Sequence, residues 1–260
     1  MAKIFKLLLP FLMVSWGGMS NALAQVGMVG QEIGIVGGPI AYFSDYGLRY
    51  DMNTNTGNTG TGIGIVYYLN FAYKADCNCY ATYSYFNDHF RVRAEADYHW
   101  GRLNHFGEVA QKNTVGGRQL RAMVGNIKAV ELGAHLEYYP LSIRDYTAFA
   151  YPISPYLSLG ANFVSFDPYT FSKLGPLDDP NNVFHEFRGY IDQEPQSTWS
   201  IVLGAGLRYK LDVSSDLVMN LNWRYYDTDW LDGLDHENPQ NKFNDMVFWL
   251  NFGYIYYLNF

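Results

Sequence analysis

The sequence predicts an all-β fold, an eight-stranded antiparallel transmembrane β-barrel that follows a cleaved signal peptide. Three observations lead to this prediction. The chain opens with a short basic and apolar leader, and it ends on an aromatic residue, Phe260. Between them, apolar and polar residues alternate with a period of two over segments of about ten residues, which is typical of membrane strands with two unlike faces.

The composition excludes several other classes of protein. Of the 260 residues, 48% are hydrophobic, 18% aromatic and 17% charged, and the mean hydropathy is -0.16. These values argue against both a polytopic helical membrane protein and a disordered chain. The net charge of -7, without a basic cluster, argues against nucleic-acid binding. Two cysteines are too few for a disulfide scaffold or a four-ligand zinc site.

Residues 1–24 have the features of a secretory signal peptide. Lys3 and Lys6 supply positive charge, residues 7–16 form an apolar run, and Ala22-Leu-Ala24 is a small-x-small cleavage site. Because the apolar run is too short to span a bilayer, we expect cleavage after Ala24 rather than a retained anchor helix. Residues 25–260 are then the exported barrel, with no linker that would divide it.

Residues 90–100 show the alternation most clearly, with an apolar or aromatic side chain at every second position. The residues between them are Arg91, Arg93, Glu95, Asp97 and His99. A soluble sandwich would turn the apolar face inward, whereas a membrane barrel turns it toward lipid and the polar face toward the lumen. Alternation alone therefore leaves both architectures open.

Aromatic residues near the strand ends favour the membrane barrel. They lie on the apolar faces, where tyrosine and tryptophan form girdles at the lipid interface. Examples are Trp199, Tyr209, Trp223, Tyr225, Tyr254 and Tyr256. The alternating Tyr256, Leu258 and Phe260 are similar to the C-terminal assembly signal that the barrel-assembly machinery recognises. The predicted location is therefore the outer membrane.

The strands are predicted near 31–43, 61–73, 89–103, 127–139, 153–166, 197–211, 216–227 and 245–260. Long connections at 44–60, 104–126, 167–196 and 228–244 alternate with shorter ones at 74–88, 140–152 and 212–215. Long loops belong outside the cell and short turns in the periplasm, so both termini of the mature chain should be periplasmic.

An eight-stranded barrel is only wide enough for its own side chains, which predicts a filled lumen rather than a general pore. Charged residues on the polar faces should form a plug of ion pairs, and a proton or ion path is the alternative. They are Arg91, Arg93, Glu95, Asp97, Glu131, Glu137, Arg208 and Arg224.

Two loop motifs are candidate sites. Carboxylates around a glycine in the last outer loop are by default a solvated acidic loop, and a calcium site is the alternative; no other cofactor is expected. The carboxylates are Asp227, Asp229, Asp232 and Asp235. Cys77 and Cys79 are a candidate disulfide in the oxidising periplasm, and a redox or metal site is the alternative.

An enzyme is not predicted. The sequence has no Gly-x-Ser-x-Gly elbow, and the glycines at Gly60, Gly62 and Gly64 lack the spacing and the following helix of a dinucleotide site. His185 and His236 have acids nearby in outer loops, as residues of any acidic loop would.

Several stretches resemble a family of small outer-membrane β-barrels from Bacteroidota, some of whose members carry the name glutamate dehydrogenase. These stretches are Asp45-Tyr-Gly-Leu-Arg49-Tyr, Tyr67-Tyr-Leu-Asn-Phe71, Asp76-Cys-Asn-Cys79, Leu136-Glu-Tyr-Tyr-Pro140-Leu-Ser-Ile-Arg144-Asp145, Trp230-Leu-Asp-Gly-Leu234 and the closing strand from Asn244. The layout is more distantly similar to PorG, the barrel of the type IX secretion system. Shared features are the first strand at 32–36, the strand end at 208–211 and the last hairpin.

The PorG resemblance implies a structural or anchoring component that docks periplasmic secretion-system proteins. The turns at 74–88 and 140–152 would supply the docking surface, unless 140–152 folds under the barrel as a plug. The alternative function is an outward-facing ligand-binding or adhesion barrel that uses the loops at 167–196 and 228–244.

Overall fold

The structure is a computed structural model that describes residues 29–48, 50–72, 84–235 and 243–258. The predicted signal peptide, the Cys77 and Cys79 turn and Phe260 lie outside these residues. No helix among the described residues is long and apolar enough to cross a membrane.

Eight antiparallel strands form a closed barrel in which each strand pairs with its neighbours in sequence and β8 pairs with β1. The strands are β1 (Gly30–Phe43), β2 (Thr59–Asn70), β3 (Phe90–Asn104), β4 (Met123–Tyr138), β5 (Ile153–Ser172), β6 (Gln196–Lys210), β7 (Ser215–Tyr226) and β8 (Met246–Tyr257). The predicted fold class is confirmed, with every predicted strand present.

Strands β4 and β5 are longer than predicted. Their pairing with each other continues to Met123 opposite Ser172, and β3 still pairs with β4 as far as Val124. The predicted end of β5 lay near residue 166, because the segment that follows is rich in turn-forming residues. Pairing between β5 and β6 stops at Phe166, so Pro168 lies where β5 is an edge strand and a missing N–H is tolerated.

The two faces of the wall are inverted relative to a soluble sandwich. Apolar side chains point outward and are exposed, including Ile35 (66%), Leu159 (57%) and Trp199 (59%). Charged side chains such as Glu131 and Arg224 point inward and have no exposed surface. An apolar outer wall around a charged interior is the arrangement of an outer-membrane barrel.

Aromatic side chains on the outer wall form a belt toward each end of the barrel. At the end that carries the long loops, Tyr98 stacks with Trp100 at 5.4 Å and Phe163 meets Trp199 edge-on at 5.4 Å. At the end that carries the short turns, the exposed rings are Tyr209, Tyr254 and Tyr256. These belts mark the two levels at which the wall leaves the hydrocarbon.

Short helices lie beyond both rims. They are α1 (Met52–Asn55), α2 (Tyr85–His89), α3 (Glu108–Gln111), α4 (Val115–Ala122) and α5 (Ile143–Thr147), with a 3-10 helix at His185–Phe187. Side-chain caps begin three of them: Asp51 accepts from Asn53 N at 2.9 Å, and the Thr114 and Ser142 hydroxyls accept from Gly117 N and Asp145 N, both at 3.1 Å.

The seam between β1 and β8 closes the barrel and contains a close backbone approach. The paired register is interrupted at Gly38 and Pro39, where proline has no N–H to donate. A Cβ atom at Gly38 would fall against the Leu250 carbonyl oxygen. Glycine is therefore required at this point of the seam.

We expect Gly38→Ala to weaken the barrel by about 1–3 kcal/mol, because the β1 and β8 backbones must part to admit the methyl group. The temperature at which the SDS-resistant form converts to the unfolded gel mobility measures this. Gly30→Ala is the matched control in the same strand, since its Cβ would make an ordinary 3.4 Å contact with Asn70. Equal conversion temperatures for both variants would contradict the expectation.

Candidate functional site: the filled lumen and its two closures

The lumen contains a cluster of ion pairs centred on Arg224 of β7. Its guanidinium nitrogens lie 2.8 Å from Glu95, 3.0 Å from Asp97 and 2.9 Å from Glu131. All four side chains are buried, and β3 and β4 bring the three carboxylates across the barrel toward β7. One arginine therefore holds together strands from opposite walls.

Neutral donors complete the coordination of Glu131. Tyr226 Oη and Asn162 Nδ2 each donate to a Glu131 oxygen at 2.6 Å. His99 Nε2 lies 2.9 Å from Glu131 Oε1, and its Nδ1 lies 2.9 Å from the Tyr42 hydroxyl. A buried carboxylate is stable only when it is paired and hydrogen-bonded, and Glu131 meets both conditions.

A second cluster nearer the short-turn end is organised by Glu32 of β1. Glu32 accepts from Arg208 at 2.6 Å and from Arg91 at 3.3 Å. Arg208 also lies 3.2 Å from Asp216, which is 3.5 Å from Lys210. The Arg208 guanidinium packs over the Tyr68 ring at 4.2 Å. This half of the lumen is rich in cations and aromatic rings.

Arg93 joins the two clusters into one column. It lies 3.3 Å from Glu95 of the first cluster and 3.4 Å from Glu137, and it contacts His135 Nδ1 at 2.9 Å. Glu137 accepts from Tyr139 Oη at 2.6 Å, and Arg91 of the second cluster packs over the Tyr139 ring at 5.0 Å. The column fills the barrel with side chains along its length, so the arrangement is suited to sealing the lumen and to fixing the wall.

All eight charged residues that the sequence predicts in the lumen lie there, at 5% exposure or less. Five further members were not in the predicted charge network, although the sequence places His99, His135 and Lys210 on polar faces; the other two are Glu32 and Asp216. The sequence pattern could have identified all five, because each occupies an inward-facing position of its strand. Which residue meets which across the barrel depends on the stagger of opposite strands, and alternation does not reveal it.

Three potential metal ligands also meet within this column. In the part of the chain that the structure describes, the ligand atoms of Asp97, His99 and Glu131 lie within 4.8 Å of one another. Arg224 already donates to both Asp97 oxygens, at 3.1 and 3.0 Å, and would repel a second cation. The geometry fits an arginine-centred ion-pair cluster better than a metal site.

The long loops fold into a cap over the lumen, formed by 44–48, 50–58, 105–122, 173–195 and 227–235. His105 is stacked between Tyr46 at 4.6 Å and Phe187 at 5.3 Å, so one ring connects three loops. Burial raises the pKa of Tyr46 above its usual range. Burial lowers the pKa of His105 to about 3, although a hydrogen bond with the Tyr46 backbone opposes the shift.

The aspartates of the predicted calcium loop have structural contacts in the cap. The buried Asp232 carboxylate accepts from Asp45 N and from Leu234 N, both at 2.8 Å. Asp235 N donates to Tyr190 O at 3.2 Å, and Asp227 N donates to Trp199 O at 2.8 Å. Calcium binding by Asp227, Asp229, Asp232 and Asp235 stays a prediction.

The two loop histidines do not share a described site. His185 is largely exposed and lies 3.8 Å from its neighbour Glu186. His236 is outside the described residues.

The connection between β4 and β5, residues 139–152, crosses under the other end of the barrel and is called the strap. It contains α5, whose Ile143 and Tyr146 are buried. Lys210 Nζ at the lumen mouth lies 4.0 Å from the Tyr257 ring, 5.6 Å from Tyr146 and 5.5 Å from Phe149. The strap therefore folds under the barrel, which is the position predicted from the sequence as the alternative to a docking surface.

Comparisons with known proteins bear on the fold alone. No protein-family model and no curated protein matches the chain. The crystal structure of Ail, the attachment invasion locus protein of Yersinia pestis, in complex with the heparin analogue sucrose octasulfate, is 15% identical over 88% of this chain and 99% of that chain, with a TM-score of 0.43. Neisserial surface protein A is 13% identical over 87% and 96%, with a TM-score of 0.43. A major outer membrane protein from Thermus thermophilus is 12% identical over 88% and 99%, with a TM-score of 0.44.

The chain's own geometry places it in the outer membrane. Its ladder is closed, its outer wall is apolar between two aromatic belts, and its charged side chains are sequestered in the lumen.

We expect Arg224→Leu to lower the free energy of unfolding by about 3–5 kcal/mol, because the buried Asp97 and Glu131 lose their arginine partner and Glu95 keeps only Arg93. Urea titration of the purified barrel, followed by tryptophan fluorescence, measures the change. The double variant Arg224→Leu with Glu131→Gln should recover part of the loss, since one carboxylate is then neutral. Arg118→Leu on the exposed face of α4 is the control. A variant as stable as the wild type would show that Arg224 does not hold the lumen together.

The cap should become less stable as the pH falls from about 6.5 toward 3. The closed cap keeps His105 neutral with a pKa of about 3, whereas an open cap lets it protonate near its ordinary pKa of 6.5. The contribution of neutral His105 to cap stability is therefore fully present above pH 6.5. Below that pH, the free energy of cap opening falls by no more than ~1.4 kcal/mol per pH unit.

Hydrogen exchange of the cap at pH 7.5 and pH 5 measures this dependence, after correction for the intrinsic exchange rate. His105→Phe keeps the stacked ring and should remove the pH dependence. An identical dependence in the two proteins would exclude His105 as its source.

Proposed function

We propose that this protein is a non-enzymatic, non-conducting structural or anchoring component of the outer membrane. It docks periplasmic proteins through its short-turn end, in the manner of PorG in the type IX secretion system. Membrane lipids and the barrel-assembly machinery are its general partners, and no cofactor is required. The long loops then face outward and the strap faces the periplasm.

The filled lumen supports a role that does not involve transport. Arg91, Arg93, Arg208 and Arg224 are fully buried, and each is paired with at least one carboxylate. A solute path would have to break several of these pairs at once, and each break leaves a buried charge. The functional surfaces are therefore the two rims.

The observation that carries the docking proposal is the conformation of Phe149 in the strap. Among the described non-glycine residues, Phe149 alone has a positive φ, 63°. Such a conformation costs about 1–3 kcal/mol and persists where the surroundings hold it. The strap is held by the buried Ile143 and Tyr146 and by Arg144 N, which donates to Asp88 of α2 at 3.1 Å.

This strain keeps an aromatic side chain at the periplasmic mouth with 51% of its surface exposed. Leu141, at the start of the same strap, is 42% exposed. Two exposed apolar side chains on a rigid segment form a small contact surface of the kind that recognises a partner. The predicted docking segment 74–88 adjoins it through α2, although residues 73–83 lie outside the described part.

The alternative function, outward-facing binding or adhesion, is favoured by the apolar rings that the cap leaves open. Tyr50 is 71% exposed and packs edge-on against Phe243 at 5.5 Å, and Met52 is 66% exposed. Exposed aromatic residues on ordered loops suit a ligand or a host surface.

Co-purification tests the two functions against each other. We expect the tagged protein, extracted from outer membranes in mild detergent, to retain periplasmic proteins in stoichiometric amount. Leu141→Glu and Phe149→Glu should release them, because a charge at the contact is desolvated without a partner. Tyr50→Glu in the cap is the matched control and should retain them. Release by Tyr50→Glu alone would favour the outward-facing function, and a barrel that elutes without partners would exclude the anchor.

A further inference from the structure

Along the described strands, outward-facing charged residues occur in one place on the wall. The described strands contain seven lysine and arginine residues, and five of them point into the lumen. The two that point outward, Arg102 and Lys128, lie on the adjacent strands β3 and β4. One outward carboxylate, Asp167, completes the charged set of these strands.

The register places the two cations side by side. Lys128 lies directly opposite Trp100, and Arg102 lies two residues beyond Trp100 on β3, opposite Asn126. Arg102 and Lys128 are therefore diagonal neighbours, about 7–8 Å apart between backbones, which both side chains can span to reach one ligand. Both side chains are exposed.

Their depth in the membrane follows from the aromatic belt. Trp100 stacks on Tyr98, and rings of this kind lie at the level of the lipid headgroups. A cation in the hydrocarbon would cost about 2–4 kcal/mol, whereas at the interface the cost is about 0–1 kcal/mol. Arg102 and Lys128 therefore meet the headgroups and not the acyl chains.

We propose that Arg102, Lys128 and Trp100 form a binding site for the phosphate group of a membrane lipid headgroup. The arginine fork matches two phosphate oxygens, and the lysine adds a point charge beside it. The indole packs against the glycerol or sugar region below the phosphate. This site goes beyond the anchoring function and does not depend on it.

Asp167 sets the strength of the site. It lies directly opposite Lys128 on β5, at the distance of a cross-strand pair, and competes with the phosphate for the ammonium group. Removing this carboxylate should therefore tighten lipid binding. A purely structural role for the three charges predicts no such gain.

Native mass spectrometry of the detergent-purified barrel, titrated with phosphatidic acid, tests the site. We expect the Arg102→Gln and Lys128→Gln double variant to bind about tenfold more weakly than the wild type, and Asp167→Asn to bind more tightly. High salt should weaken wild-type binding, since the charges are exposed. A Lys112→Gln and Arg118→Gln double variant loses two charges from the cap and is the matched control. All variants should keep the heat-dependent gel shift, because the changed side chains are exposed.

Two further probes identify the source of the phosphate. Diacylglycerol lacks the phosphate and should bind weakly and equally to every variant. Inorganic phosphate at millimolar concentration should not displace phosphatidic acid, because it lacks the part that contacts Trp100. Displacement would make this a site for free phosphate. Wild-type affinity in the Arg102 and Lys128 double variant, or equal binding of diacylglycerol, would overturn the proposal.

Discussion

The ion-pair cluster at Arg224 is the interaction on which the rest of the barrel depends. A closed eight-stranded ladder in lipid must turn its polar faces inward, into a space that has room only for side chains. Charges in that space lose their water, so each needs a partner at contact distance. Arg224 meets this requirement for Glu95, Asp97 and Glu131 at once, and these contacts tie β7 to β3 and β4 across the lumen. Closing the wall and pairing the charges are therefore one process.

The two ends of the barrel are closed by different means. The cap is held by packing and by backbone contacts to buried side chains, such as Asp45 N to Asp232, and its stability depends on the neutral His105 ring. The strap is held by aromatic contacts around Lys210 and by its link to α2, and it keeps Phe149 in a strained, exposed position. Strain at one rim and a titratable ring at the other make these rims the places where binding can alter the structure. The lumen between them has no comparable freedom.

The alternation of inward-facing and outward-facing residues along each strand predicted most of what could be predicted about the fold and the lumen. Alternation from Phe90 to Trp100 identified the lumen side of β3, and the same parity placed Arg208 and Arg224 inside. It could not pair Arg208 with Glu32, because residues 176 positions apart meet only once the whole register is known. The extension of β5 to Ser172 was hidden by a proline that only an edge strand accepts. The roles of Asp232 and His105 were hidden for a related reason, since loop side chains obtain partners from other loops.

Nearly all charged residues of the strands face the lumen, so the few that face the membrane need a separate explanation. Inward charges are explained by the need to fill and neutralise the lumen, and their loss should cost stability. The outward charges Arg102, Lys128 and Asp167 stabilise no core, and each would be unfavourable a few residues deeper in the wall. Asp167 offsets one of the two cations across the ladder, so the cluster beside Trp100 keeps a net positive charge that points to a cause outside the protein. A phosphate at the headgroup level supplies that cause, because it compensates the excess positive charge at the one depth where these side chains are tolerated.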